Sequence, residues 1–146
     1  MRKLRSSTQT FLLDTNVFIA AIKDPEGQTS TFQLLLKIIK NPGIGLVGNI
    51  LLAEEMRRYI ELFKSKKAAV LVSSLLGKME LVRVPENYVR ICKTYIRTPD
   101  KADVLHAATC LQTGATLITN DRHFDRIKKE GITKVLSVSE AVGKLL

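Results

Sequence analysis

The sequence predicts an α/β fold: a parallel sheet covered by helices on both faces. Three observations carry this. Short apolar runs alternate with longer stretches of helical period along the chain. Cap and stop residues punctuate the boundaries between them. No repeat, low-complexity tract or linker interrupts the alternation, and 146 residues match the size of one domain, typically ~100–150 residues. The expected organisation is therefore a single domain over 1–146, with 1–9 as a basic extension.

The elements follow in order. Thr10–Asp14 (Thr-Phe-Leu-Leu-Asp) reads as a buried strand. Thr29–Asn41 reads as a helix, with Ser30 and Gln33 spaced as a capping box and Asn41-Pro42-Gly43 as its stop. Ile44–Gly48 is a second strand, and Asn49 caps a helix to about Phe63. Lys66–Gly77 forms another helix and Leu81–Val84 a short strand. Pro85 suits the first turn of a helix reaching about Arg97. Asp100–Thr113 is a helix stopped by Gly114. Thr116–Thr119 is a strand, and Val135–Leu136 is a last, short one. Ser137 and Glu140 form a capping box for a C-terminal helix.

Composition excludes several classes. Hydrophobic residues make up 45% of the chain, enough for a packed core, so it is not a disordered tail. No apolar run approaches the ~18 residues of a membrane span. The basic start is followed by too short an apolar stretch (Phe11, Leu12, Leu13) for a signal-peptide core. Cys92 and Cys110 are too few for a disulfide framework and read as reduced thiols, hence a cytoplasmic protein without a membrane partner. The 23 Lys and Arg against 14 Asp and Glu leave a formal charge of +9, which points to a polyanion, with nucleic acid the first candidate.

The acids are more specific. Ligands of open parallel sheets bind beyond the carboxyl ends of the strands. Asp14 ends the first strand and Asp121 follows the Thr116–Thr119 strand. Each alone also suits a cap or turn. Two carboxylates at matching strand ends repel each other, and a hard divalent cation such as Mg²⁺ or Mn²⁺ relieves that repulsion.

Two helices supply further acids. At roughly 100° per residue, Glu55 falls on the flank of the stripe formed by Leu52, Met56, Tyr59, Ile60 and Phe63. Glu54 falls nearly opposite. Asp103 flanks the stripe of Val104, Ala107, Ala108 and Leu111, and it also has the spacing of a cap partner to Asp100. His106 lies opposite that stripe and reads as a solvated residue. His123 reads either as a phosphate contact or as a cover for a helix start. No G-x-x-x-x-G-K-[ST] or G-x-G-x-x-G motif occurs, so a nucleotide cradle is unsupported.

Asp14-Thr15-Asn16, then Leu52-Ala53-Glu54-Glu55-Met56, then Ala102-Asp103-Val104-Leu105-His106-Ala107-Ala108, then Leu117-Ile118-Thr119-Asn120-Asp121 stand in an order and spacing that resembles the PIN-domain ribonucleases, including the VapC-type toxins. The resemblance implies a three-layer α/β/α sandwich with a parallel sheet of about five strands. It implies metal-dependent endonucleolytic cleavage of RNA through one or two Mg²⁺ or Mn²⁺ ions. Asp14, Glu55, Asp103 and Asp121 map to the four acids, and Asn16 and Thr119 to positions supporting them. It also implies an antitoxin partner for a toxin member, and a homodimer.

Arg57, Arg58, Lys64, Lys66 and Lys67 form one basic cluster, and Arg122, Arg126, Lys128 and Lys129 another. Arg122, Arg57 and Arg58 are the candidate RNA contacts. Three other readings stay open at this stage: an RNA-processing nuclease, for example of ribosomal RNA; a non-catalytic RNA-binding module; and a Mg²⁺-dependent phosphatase or receiver-like domain. Asn16, where a nucleophilic-Asp phosphatase usually carries a second Asp, argues against the last.

Overall fold

The computed structural model describes residues 9–23, 29–97 and 100–146; most of the expected 1–9 extension lies outside them. Five strands, β1 (Gln9–Leu13), β2 (Ile44–Gly48), β3 (Met79–Leu81), β4 (Thr116–Ile118) and β5 (Val135–Leu136), form one sheet in the order β3-β2-β1-β4-β5. Every pairing is parallel.

Eight helices connect and cover the strands among the described residues. Between β1 and β2 run α1 (Thr15–Ile22) and α2 (Ser30–Lys40), and between β2 and β3 run α3 (Ile50–Phe63) and α4 (Lys66–Lys78). Between β3 and β4 run α5 (Glu86–Lys93) and α6 (Lys101–Thr113). A 3₁₀ turn (Arg122–Phe124) and α7 (Asp125–Lys129) lead to β5, and α8 (Val138–Leu145) closes the chain. The chain steps from β1 to β2 to β3 in one direction, then returns across the sheet to β4 and β5. Right-handed crossovers therefore place α1–α4 on one face and α5–α7 on the other. Packing agrees: α1–α4 touch one another, α8 returns onto α2, and α6 lies across β1, β2 and β4 against α5.

Local chemistry explains the boundaries. Phe11, Leu12 and Leu13 are all buried, as expected of a strand covered on both sides. Thr29, not Ser30, caps α2, its hydroxyl accepting from Phe32 N, so the Ser30–Gln33 box does not form. Asn49 and Ser65 cap α3 and α4 in the same way. Gly114 ends α6 at φ 76°, a left-handed conformation that glycine adopts without steric cost. Ser137 and Glu140 form the expected capping box of α8. The third strand comes earlier than expected, because α4 runs straight into Met79. Helix α1 is an element that the sequence pattern does not announce.

No described helix is long and apolar enough to cross a membrane. Cys92 and Cys110 are buried free thiols.

Candidate active site

Between β1 and β4 the chain's direction of travel reverses, which leaves a crevice at the carboxyl edge of the sheet. Leu13 pairs with Ile118 there, and Asp14 N donates to Ile118 O at 3.1 Å. Asp14 thus leaves the sheet beside the end of β4. Its side chain does not cap α1. It points instead to Thr119, whose Oγ1 donates to Asp14 Oδ2 at 2.7 Å. The same Thr119 oxygen accepts from Asp121 N at 2.9 Å. One hydroxyl therefore fixes both strand-end acids.

Asp14 is 3% exposed. Burial pushes its carboxyl above the ordinary carboxylate range, against the opposing pull of the Thr119 hydrogen bond. The nearby His106 imidazole also draws that carboxyl down, while the Asp121 carboxylate pushes it up. Asp103, in the first turn of α6, is also buried and also raised, mainly by desolvation. Asp100, Asp14 and Asp121 add like-charge repulsion to it. His123 is the counterweight: its Nδ1 lies 2.9 Å from Asp103 Oδ2 and 3.3 Å from Asp121 Oδ1. The hydrogen bond to Asp103, reinforced by Asp121, raises the His123 imidazole above its usual value. Asp103, Asp121 and His123 each offer a ligand atom within 4.8 Å of the others.

Glu55 reaches the edge from α3. It accepts from Thr15 Oγ1 at 3.1 Å, and His106 Nε2 stands 3.7 Å away. The adjacent imidazole holds its carboxyl below the ordinary range, despite partial burial. Glu54 is exposed.

His106 is not solvated, contrary to its position on the helical wheel. It is 1% exposed, inside a polar chain that joins the two helix layers. Asn49 Oδ1 accepts from Leu52 N at 2.9 Å, so Asn49 Nδ2 is the donor to Thr109 Oγ1 (3.0 Å) and His106 Nδ1 (3.1 Å). A neutral His106 that accepts at Nδ1 carries its proton on Nε2, the nitrogen facing Glu55. Thr109 Oγ1 in turn donates to Leu105 O at 2.7 Å.

The other expected residues are placed less centrally. Asn16 is exposed on α1, and among the described residues no hydrogen bond ties it to the carboxylates. Arg57 is exposed on α3; Arg58, also exposed, is close enough to help hold Glu55 low. Arg122 is exposed beside Asp121. Lys128 is engaged elsewhere, with Glu140 at 2.8 Å.

His123 is the member of the acid cluster whose role the sequence leaves undecided. The only signal available is its position two residues after Asp121. Chemically, the buried or half-buried carboxylates of Asp103 and Asp121, grouped with His123 and with Asp14 close by, make an oxygen-rich donor set that fits a hard divalent cation.

The comparisons agree with this architecture. The sequence pattern of the family described as PIN domain matches residues 11–130. Among curated proteins no sequence match reaches significance. Solved structures that it resembles include VapBC2 from Rickettsia felis bound to a DNA fragment from their promoter, at 22% identity and TM-score 0.62, over 88% of this chain and 98% of that one. VapBC-1 from nontypeable Haemophilus influenzae matches at 18% identity and TM-score 0.59, over 90% and 99%. FitAcB from Neisseria gonorrhoeae matches at 21% and 0.61, over 88% and 98%.

Proposed function

The chain belongs to the PIN domain family, and from that premise we propose that it is a metal-dependent endoribonuclease, the toxin of a toxin–antitoxin pair. The observation that carries this reading is the convergence of Asp14, Asp103 and Asp121 at the β1–β4 crevice, with Glu55 held nearby.

Asp14, Asp103, Asp121 and Glu55 would hold Mg²⁺ or Mn²⁺. A divalent ion bound there supplies Lewis-acid stabilisation of phosphate oxygens and lowers the pKa of water. The chain's own contribution is positional. Thr119 fixes Asp14 and the Asp121 backbone through one hydroxyl. Thr15 and His106 hold Glu55 ionised and oriented. Asn16, exposed at the start of α1, is the other supporting position on this reading. Arg122, Arg57 and Arg58 neutralise phosphates at the rim.

The similarity to VapBC and FitAcB structures supports an antitoxin partner over a housekeeping role in RNA processing. A homodimer through α2 or α4 is part of the same reading. The site of action on this reading is the cytoplasm, with the chain as one domain.

The test is cleavage of a 5′-labelled single-stranded RNA in Mn²⁺, in Mg²⁺ and in EDTA, with wild type and Asp14→Asn. Products only with metal and only in the wild type are expected. RNA bound but never cut at any metal concentration would identify a binding module instead.

A further inference from the structure

Next to the acids lies a second feature that the nuclease chemistry leaves unused. The 3₁₀ turn after β4 is pinned by Phe124, which is fully buried. Pinning Phe124 turns Arg122, His123, Asp125 and Arg126 outward on one side. They meet the segment after α5, and together with Tyr95 and Arg97 they line a cleft of about 490 Å³. Three arginines face one carboxylate, Asp125, so the cleft is net cationic.

Arg126 is pre-set within it. Its guanidinium stacks on the Tyr95 ring, 5.4 Å from the centroid, and Nη1 donates to Thr94 O at 3.2 Å. A guanidinium held by a ring and a carbonyl has already lost most of its rotamer freedom. Its remaining N–H groups can therefore meet an anion at little further entropic cost. His123 belongs to both places: it lines the cleft, and its Nδ1 contacts Asp103 and Asp121. An anion in the cleft is thus one side chain away from the acid cluster.

We propose that this cleft grips a backbone phosphodiester of the single-stranded nucleic acid flanking the bond presented to the acids, with Arg126, Arg97 and Arg122 as its contacts. The inference rests on the ribonuclease reading only for what happens to the strand afterwards. Grip and cutting are separable. The acids repel phosphate, so a strand entering the crevice needs a cationic hold close by, and this cleft shares His123 with the acid cluster. A free phosphate offers the same oxygens, so the test has to separate strand from ion.

The experiment measures binding of a fluorescent 12-nucleotide RNA by anisotropy in EDTA across a salt series. It uses wild type, the double variant Arg97→Gln/Arg126→Gln, and Lys37→Gln as a control on the far helix α2. A parallel arm measures Mn²⁺ cleavage. We expect the double variant to bind roughly tenfold more weakly at low salt. Its log–log salt slope should shrink by about 0.7, the value for the one single-strand phosphate that the variant no longer neutralises. KM should rise more than kcat falls, and Lys37→Gln should match wild type. Inorganic phosphate should compete no better than chloride at equal ionic strength.

An unchanged Kd and salt slope in the double variant overturns the proposal, as does phosphate competing at low millimolar concentration, which would mark a site for the free ion. Cleavage with unaltered binding leaves the nuclease standing and removes the cleft. Cleft-dependent binding without cleavage in any metal does the reverse.

Discussion

Thr119→Val is the substitution that isolates how the site is held. Valine keeps the shape of threonine and removes its one polar atom. In the folded chain that atom donates to the buried Asp14 carboxylate at 2.7 Å and accepts from Asp121 N at 2.9 Å. A hydrogen bond to a buried charge contributes about 1.5–3 kcal/mol. The Asp121 amide, only half-buried, adds about 0.5–1 kcal/mol because water can partly replace its partner. The expected loss is therefore about 2–4 kcal/mol at pH 7. For a chain of this size that lowers Tm by roughly 3 °C per kcal/mol, or about 6–12 °C.

The charge dependence is the discriminating part. In an Asp14→Asn background the first bond becomes neutral to neutral, and Thr119→Val should cost only about 1–2 kcal/mol. A double-mutant cycle by urea unfolding, followed by circular dichroism, should give a coupling of about 1–2 kcal/mol with an unchanged m-value. Equal cost in both backgrounds would refute the idea that the hydroxyl's main task is to hold a charged Asp14.

Further outcomes follow from the same geometry. Asp14→Asn alone should raise the metal-free Tm. A buried acid with a raised native pKa costs nothing below its ordinary value of 3.8 and its full penalty above the native one, so the gain should grow as pH rises through that window. The variant should also lose most of the Tm increase that millimolar Mn²⁺ gives the wild type, and an equal metal shift in both would count against Asp14 as a ligand. Glu140 is pulled from 4.5 to about 2 by Lys128 and by the cap of α8. Its stabilisation is therefore whole above pH 4.5 and lost as pH falls towards 2, and Glu140→Gln should flatten acid unfolding over that range. Burial lifts the Cys92 thiol to about 11 and Cys110 higher still. Ellman's reagent at pH 8 should label neither in the native protein and both in urea, and fast native labelling would contradict that burial.

The fold was largely readable because alternation of strand and helix is a local signal and parallel topology follows from it. Helix α1 was not. Thr15, Val17, Phe18, Ala21 and Ile22 are all buried, so no polar stripe marks a helical period, and β-branched residues mask the propensity. Four acids could be proposed from strand ends and helix flanks, and for Asp14, Asp103 and Asp121 mutual proximity is what the structure adds. His106 defeated the same geometry. Its helix packs on several sides at once, so the face opposite the apolar stripe is also interior. Its partner Asn49 lies 57 residues away, and no spacing rule reaches that far. The Ser30 box failed for a smaller reason, since the neighbouring Thr29 offers the same hydroxyl one residue earlier.

Glu55 and Asp103 are carried by α3 and α6, which belong to different helix layers but meet at the carboxyl edge of the sheet, with His106 of α6 3.7 Å from Glu55. The Asn49–His106–Thr109 chain acts as a spacer that sets the gauge between the two helices. On the proposed nuclease reading, alignment of the acids then becomes a mechanical property of how the layers stack. A wedge that levers α3 from α6, whether a partner's side chain or an oversized core substitution, would silence the acids without touching one of them. Conversely, the interior near that spacer is denied the freedom to drift that an ordinary core enjoys, because a change of one methylene there is registered as a change in the separation of the acids.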